Sequence, residues 1–488
     1  MDQSGRASVA ILGGGMGALS AAFDLSDGTW RDRFERITVY QRGWRLGGKG
    51  ASSRGPNGRI EEHGLHVLLG YYDRTFDLMR RCYDELDRAS TDPGCPFKTW
   101  DDAVFPANRV GVTDRQDGRW LPWVAEFTAT SGQPGEGATG STSPSWPMPP
   151  ATIFGRSLQL LGDFLRSVGA PSRGGPRDRA YLSSSPFRAQ PRAEPPNDLG
   201  ALLRGAAILG MTLPVSFARR LLAIGDPDSQ GMEAGMMGSL KDLQDGLKKL
   251  VVSDSATRRS FDLVEIVTAN IIGIVGDGLL QAPDAFRSID HLDYREWLVR
   301  HGVDPAALNS PLLRGMYDLT FAYEDADPAR PRFSAGLGLQ LATRMLFAYS
   351  GGMFWKMRAG MGEVIFAALY QVLRRRGVDF RFFHRVDALH VSAGGRSIES
   401  IDVGIQAETA GGEGAYAPLT EIGGIPCWPA APLAGQLLRP ELMEGRDLES
   451  FWCPRTDHRT VTLRAGEDFD QIVFAISAGM VPHLCAEL

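Results

Sequence analysis

The stretch SVAILGGGMGALSAAFDL, Ser8 to Leu25, passes from a short apolar run through three consecutive glycines into an alanine-rich segment with helical spacing. Ser8 to Leu12 reads as a buried strand, Gly13-Gly14-Gly15 as a turn and Met16 to Leu25 as a helix. Ile37 to Tyr40 offers a second β-branched strand, so the opening forty residues make a βαβ unit. Gly13, Gly15 and Ala18 have the spacing of a dinucleotide-binding turn, with Met16 and Gly17 opening the helix. Gly13 permits the tight turn, Gly15 lets backbone approach a pyrophosphate, and the small Ala18 lets helix and strand pack closely. The helix N-terminus favours the negative charge. Gln41 follows the second strand, where such sites place an acidic acceptor for ribose hydroxyls. Its amide oxygen can accept the same bond, more weakly than a carboxylate.

Composition narrows the partners. At 488 residues the chain exceeds what one hydrophobic core serves, which predicts two domains. A net charge of -6 gives no cationic field for a polyanion, so nucleic acid is excluded as a first partner and small molecules are favoured. The five cysteines, Cys82, Cys95, Cys427, Cys453 and Cys485, are odd in number and lack paired metal-ligand spacing, so no metal site is predicted and a reducing compartment fits. The opening residues lack the cationic start and long apolar core of a secretory signal, and a cytoplasmic location is expected. The apolar stretch Leu202 to Ile224 is broken by Arg204, Pro214, Arg219 and Arg220, and reads as a core or interfacial helix rather than a membrane span.

Further motifs add a family. Arg45-Leu46-Gly47-Gly48-Lys49, in the loop that begins with Gln41-Arg42, resembles the second flavin motif of the FAD-dependent amine oxidase and carotenoid desaturase superfamily. Glu62-His63-Gly64-Leu65-His66, with Gly70 and Tyr72, resembles a stretch of the phytoene and zeta-carotene desaturases. Ala359-Gly360-Met361-Gly362, continuing to Gly377-Val378 and Arg385-Val386, is similar to the point where that superfamily returns to its flavin domain. Asp470 to Ser477, DQIVFAIS, is similar to its late buried strand. The resemblance implies FAD as cofactor, with Arg45 and Lys49 near the pyrophosphate and Arg42, Gly47 and Gly48 in the same binding loop. It also implies that the backbone of Gly64 and Leu65 approaches the flavin and that of Val386 brackets the adenine. His66 is read as a packed or hydrogen-bonded structural histidine rather than a base.

The fold implied is α/β: a Rossmann-type FAD-binding domain with an interleaved, mainly helical substrate domain. The activity implied is removal of a hydride from an apolar substrate, lipid or isoprenoid, with quinone or oxygen reoxidising the flavin. Amine oxidation, or a non-catalytic flavin- or nucleotide-binding subunit, are the alternatives. Along the chain this predicts a first FAD-binding part at 1–75 and a substrate or cap domain at 76–352, with a low-complexity insertion at about 128–198. A return segment at 353–408, an irregular insertion at 409–457 and late strands at 458–488 follow. From Leu199 to about Met353 the spacing is helical, with Ser288 and Asp304 as expected caps. Arg166, Arg173, Arg177, Arg179, Arg188 and Arg192 punctuate the insertion, either solvated or meeting an anionic membrane surface peripherally. In the superfamily a Gly-Asp motif and a helix near the C-terminus complete the cofactor site. Gly276-Asp277 precedes the return segment and is not equated with that motif, so the sequence is expected to be truncated or to need a partner chain there.

Overall fold

A computed structural model of the chain describes residues 5–62, 64–116, 118–127, 129–130, 132–136, 155–157, 160–162, 203–204, 206–207, 233–248, 255–279, 282, 284–454 and 457–488. It divides into two compact units, each discontinuous in sequence. The first comprises Met1–Leu68, Arg74–Phe105 and Trp355–Leu488; the second comprises Leu69–Asp73 and Pro106–Phe354.

The first unit is mixed α/β and is built on a four-stranded parallel sheet. Its strand order is Asp379–Arg381, Phe34–Tyr40, Ala7–Leu12, Gln471–Phe474. Every residue of Ala7–Leu12 is buried, as expected of a central parallel strand covered on both faces. Ile11 pairs with Val39 on one side and with Val473 on the other. The chain leaves the opening strand toward one neighbour and returns, hundreds of residues later, on the other. Strand order therefore reverses beside Ala7–Leu12, the place where open α/β sheets hold ligands at the carboxyl ends of their strands.

The helix Asp73–Leu86 buries Phe76, Met79, Cys82 and Tyr83 in the core of this first unit. Phe76 meets Trp100 and Trp355 edge to face at 5.3 Å each, and the Tyr83 hydroxyl donates to the Val364 carbonyl at 2.9 Å. Residues 76–105, which the sequence boundary at 75 assigned to the following domain, thus pack with the first unit. The expected helix from Gly362 to Arg376 forms, but begins as a wide π-type turn over Gly362–Ala367 before the regular helix Ala368–Arg376. Gly377 then takes a left-handed conformation, φ +84°, and closes it.

An antiparallel sheet of His384–Val391, Ile398–Ile405 and Arg459–Arg464 follows the return strand. Val386, Leu389, Ile401, Val403 and Ile405 cluster with Ala10, Leu12 and Tyr40. The irregular segment at 409–457 has a short hairpin, Thr420–Ile422 with Ile425–Cys427, and otherwise turns. All five cysteines are free thiols.

The described part of the second unit is helical over Glu233–Lys248, Ser255–Gly276, Tyr294–Arg300, Pro311–Thr320 and Ala335–Phe347. Ser288 is not a helix cap. It lies inside a short 3-10 turn, its hydroxyl donating to Ala285 O, while Asp293 and Ser334 cap the helices that follow. Asp304 instead accepts from the Ala306 amide at 2.7 Å in a turn. Asp277 also has a structural role, accepting from Trp297 Nε1 at 2.7 Å and pairing with His301 at 3.0 Å. An unanticipated hairpin joins Arg109–Gln116 to Arg119–Glu126. Its signal was the Asp-Gly dipeptide at 117–118 between alternating runs. Most of the expected insertion, the six arginines within it and most of the apolar stretch 202–224 lie outside the described residues. Among the described residues no helix is long and apolar enough to cross a membrane.

One edge of the antiparallel sheet carries a charge cluster with a pH signature. His390 lies between Glu487 Oε1 and Asp402 Oδ2, each at 2.9 Å, and Glu487 also accepts from the Val391 amide. These carboxylates hold the imidazolium proton, so the His390 pKa is raised, while those of Asp402 and Glu487 are lowered. The raised histidine contributes stability below its unfolded pKa and loses it as pH rises through the folded one; the carboxylates lose theirs as pH falls. The cluster therefore acts in the window between. An NMR titration should place the His390 midpoint above the free-histidine value of about 6.5, and Asp402→Asn should lower it. A midpoint at or below the free value would contradict the arrangement.

Candidate dinucleotide site

The site is assembled from three glycines that do different work. Gly13 has φ +106°, and its amide donates to Tyr40 O at 2.9 Å, turning the chain at the end of the opening strand. A Cβ on Gly14 would lie 2.3 Å from Gln41 Oε1 and 2.6 Å from Leu46 Cδ2, so this glycine is required by packing. The spacing argument gave Gly14 no role. Gly15 is the helix N-cap, with extended backbone and only Gly47 O, at 3.8 Å, near a hypothetical Cβ. A Cβ on Gly17 would meet nothing within 4 Å. The first turn of Met16–Leu25 has no acidic residue and no side-chain cap. Leu19 donates to Gly15 O, which leaves the amides of Gly17 and Ala18 without a partner inside the helix. Ala18 is fully buried under the sheet, where a larger side chain would separate helix from strand.

The loop after the second strand folds back onto this turn. Gly47 N donates to Gly14 O at 2.8 Å, and Gly15 and Gly47 form an isolated parallel bridge. Gly47 and Gly48 both have positive φ, +126° and +55°, and a Cβ on Gly48 would lie 3.4 Å from Gly15 Cα. The two glycine turns are therefore in backbone contact, and Lys49 beside them is exposed.

The other predicted residues of this loop are committed to the protein itself. Gln41 is buried, and its Nε2 donates to the carbonyls of Arg42 and Arg45, the second at 2.9 Å. A carboxylate could not make those bonds, which explains the amide at this position. The same bonds fix the orientation of the side chain and leave its carbonyl oxygen against Gly14. Arg42 donates to the carbonyls of Leu448, at 2.9 Å, and Ser450. Burial and the nearby Arg385 lower its pKa. Arg45 forms an ion pair with Glu449 at 2.8 Å and donates to Ser53 Oγ at 2.7 Å. Glu449, which sequence reasoning missed, comes from the irregular segment at 409–457; a lone acidic residue in turn-rich sequence carries no signal of its destination.

The Glu62-to-His66 block lies beside Lys49. His66 Nε2 donates to Lys49 O at 3.2 Å, and Nδ1 lies 3.4 Å from Glu62 Oε1. Glu62 also accepts from the Met361 amide at 2.8 Å, joining the block to the return segment. Gly64 and Leu65 are exposed, Leu65 at 73%. Glu363 is fully buried and paired with Arg54 at 3.0 Å, while its Oε2 has no hydrogen-bond partner. Burial pushes its carboxyl pKa up, against the pull of Arg54. Val386 is buried in the cluster that includes Leu12 and Tyr40.

The donor set suits a diphosphate: helix amides without intrahelical partners, two close-approach glycine turns and a nearby exposed lysine. Residues 11–82 match the family of NAD(P)-binding Rossmann-like domains. No curated protein matches the chain. Among solved structures, one similar chain is the Rab GDI of Plasmodium falciparum, with 10% identity and a TM-score of 0.29. The match covers 84% of this chain and 64% of that one, so the chain spans less than two thirds of that protein.

The glycines separate experimentally. Gly14→Ala should lower stability by about 1–3 kcal/mol, because Gln41 is held by two bonds and cannot yield, whereas Gly15→Ala should leave it within about 0.5 kcal/mol. Chemical denaturation of both variants tests this; equal losses would mean that Gly14 is not the packing-limited position.

Proposed function

We propose that this chain is an FAD-dependent oxidoreductase of the desaturase-like kind, taking a hydride from an apolar lipid or isoprenoid substrate. The observation that carries the reading is the backbone contact between the Gly13–Gly17 and Gly47–Gly48 turns at the carboxyl end of the opening strand. One glycine turn serves any Rossmann site. The second, followed by Lys49 and by the Glu62-to-His66 block, supports the flavin reading drawn from the sequence.

FAD bound there would supply the hydride acceptor, and quinone or oxygen would reoxidise it. The chain's own residues have the tasks of binding and orientation. The amides of Gly17 and Ala18 would stabilise the pyrophosphate charge, with Lys49 as the nearby cation. Gln41, buried and bonded to the Arg42 and Arg45 carbonyls, would shape the loop rather than meet the ribose. His66 holds Lys49 through its backbone carbonyl, and Glu62 ties that block to Met361. Desaturation would pass a hydride to the flavin and release a proton from the adjacent carbon to water, and no residue of this chain is assigned to that proton. The proposed location is cytoplasmic.

The test is the visible spectrum of the purified chain after addition of FAD and removal of the excess. Near-stoichiometric flavin is expected in the wild-type protein. Gly15→Leu should abolish it with an unchanged melting temperature, because the new side chain enters space open to the ligand rather than the core. A colourless wild-type protein after reconstitution would sink the FAD reading.

A further inference from the structure

The loop from Gln41 to Arg45 carries two guanidinium groups beside a phosphate-binding turn, yet neither is left to the ligand. Both clasp one short segment, Leu448 to Ser450. Arg42 holds the carbonyls at its two ends, and Arg45 holds the carboxylate of Glu449 between them. Gln406 locks the same contact from a third side, accepting from the Gly43 amide and donating to Leu448 O, each at 2.8 Å. Gly43, at φ +73°, makes room for the carboxylate: a Cβ there would lie 2.6 Å from Glu449 Cγ. Glu449 and Arg45 are both largely withdrawn from water, at 20% and 17% side-chain exposure. Shielding of this kind makes each charge count more for the other than on an open surface.

An ion pair next to an anion site has a consequence. While Arg45 is paired with Glu449, an incoming diphosphate meets a neutral couple rather than a cation. To use Arg45, the phosphates must displace a carboxylate already in place. We propose that Glu449 is an internal competitor for Arg45, a residue that sets dinucleotide affinity by occupying the guanidinium until a diphosphate displaces it. The segment from Leu448 to Ser450 is then a strap fastened by charge at the rim of the site. Leu448 anchors one end of the strap in the core, whereas Phe451 and Trp452, which follow it, stack edge to face and are exposed, so release is confined to the part beyond Leu448.

This inference rests on the dinucleotide reading above, and the test separates the two. ADP-ribose, which carries the diphosphate without the flavin, is titrated by calorimetry into the full chain and into Glu449→Gln. The amide keeps the volume beside Gly43 and removes the charge. Affinity should rise about tenfold at low salt, with the gain shrinking as salt is added, and the gain should vanish when Arg45→Gln is added to the variant. Hydrogen exchange of the wild-type chain gives a measurement independent of any variant: the amides of 449–452 should exchange faster once ADP-ribose saturates the site. Binding to wild type with no gain in Glu449→Gln, a gain that survives Arg45→Gln, or slower or unchanged exchange in the strap would each overturn the competitor role alone. Failure of both proteins to bind ADP-ribose would overturn the dinucleotide reading and this inference with it.

Discussion

The hydrogen bond from Gly47 N to Gly14 O is the constraint on which the site depends. It brings two turns that lie some thirty residues apart into backbone contact, and that contact is available only to glycine. Gly14 cannot carry a Cβ because Gln41 and Leu46 fill the space, and Gly47 cannot because Ala51 lies 2.6 Å from where it would be. The bond also sets the direction in which the loop leaves the second strand. With it in place, the two glycine turns lie together at the N-terminus of the helix Met16–Leu25, whose first amides have no partner inside the helix.

Around that contact the protein has arranged its charges inward. Arg42, Arg45 and Arg54 each serve a structural acceptor: two carbonyls, Glu449 and Glu363 respectively. Glu363 is the most demanding of these groups. It is fully buried, has one oxygen without a partner, and lies at the wide turn that opens the return helix. Removing one partner of such a pair would leave an uncompensated buried charge, so Arg54 and Glu363 tie the return segment to the early loop. Phe366 and Met361 add that packing directly beneath Gly50, where a Cβ would approach each to about 3 Å.

The sequence by itself determined the parts that depend on local physics. A βαβ unit with a glycine turn is written in contiguous residues, because strand burial, helix periodicity and turn conformation are all short-range properties. The α/β class followed, as did the return of the chain near residue 380 and the late strand at Gln471–Phe474. Tertiary structure alone decided the placement of residues 74–105, since an amphipathic helix shows that it has a partner without showing which one. It also decided the fate of the charges. The resemblance places Arg45 near a pyrophosphate and Arg42 in the same loop. In the fold both are bonded to a segment some 400 residues away, whose sequence shows no periodicity. A guanidinium's partner is a matter of long-range geometry, and only the folded chain brings Glu449 to Arg45.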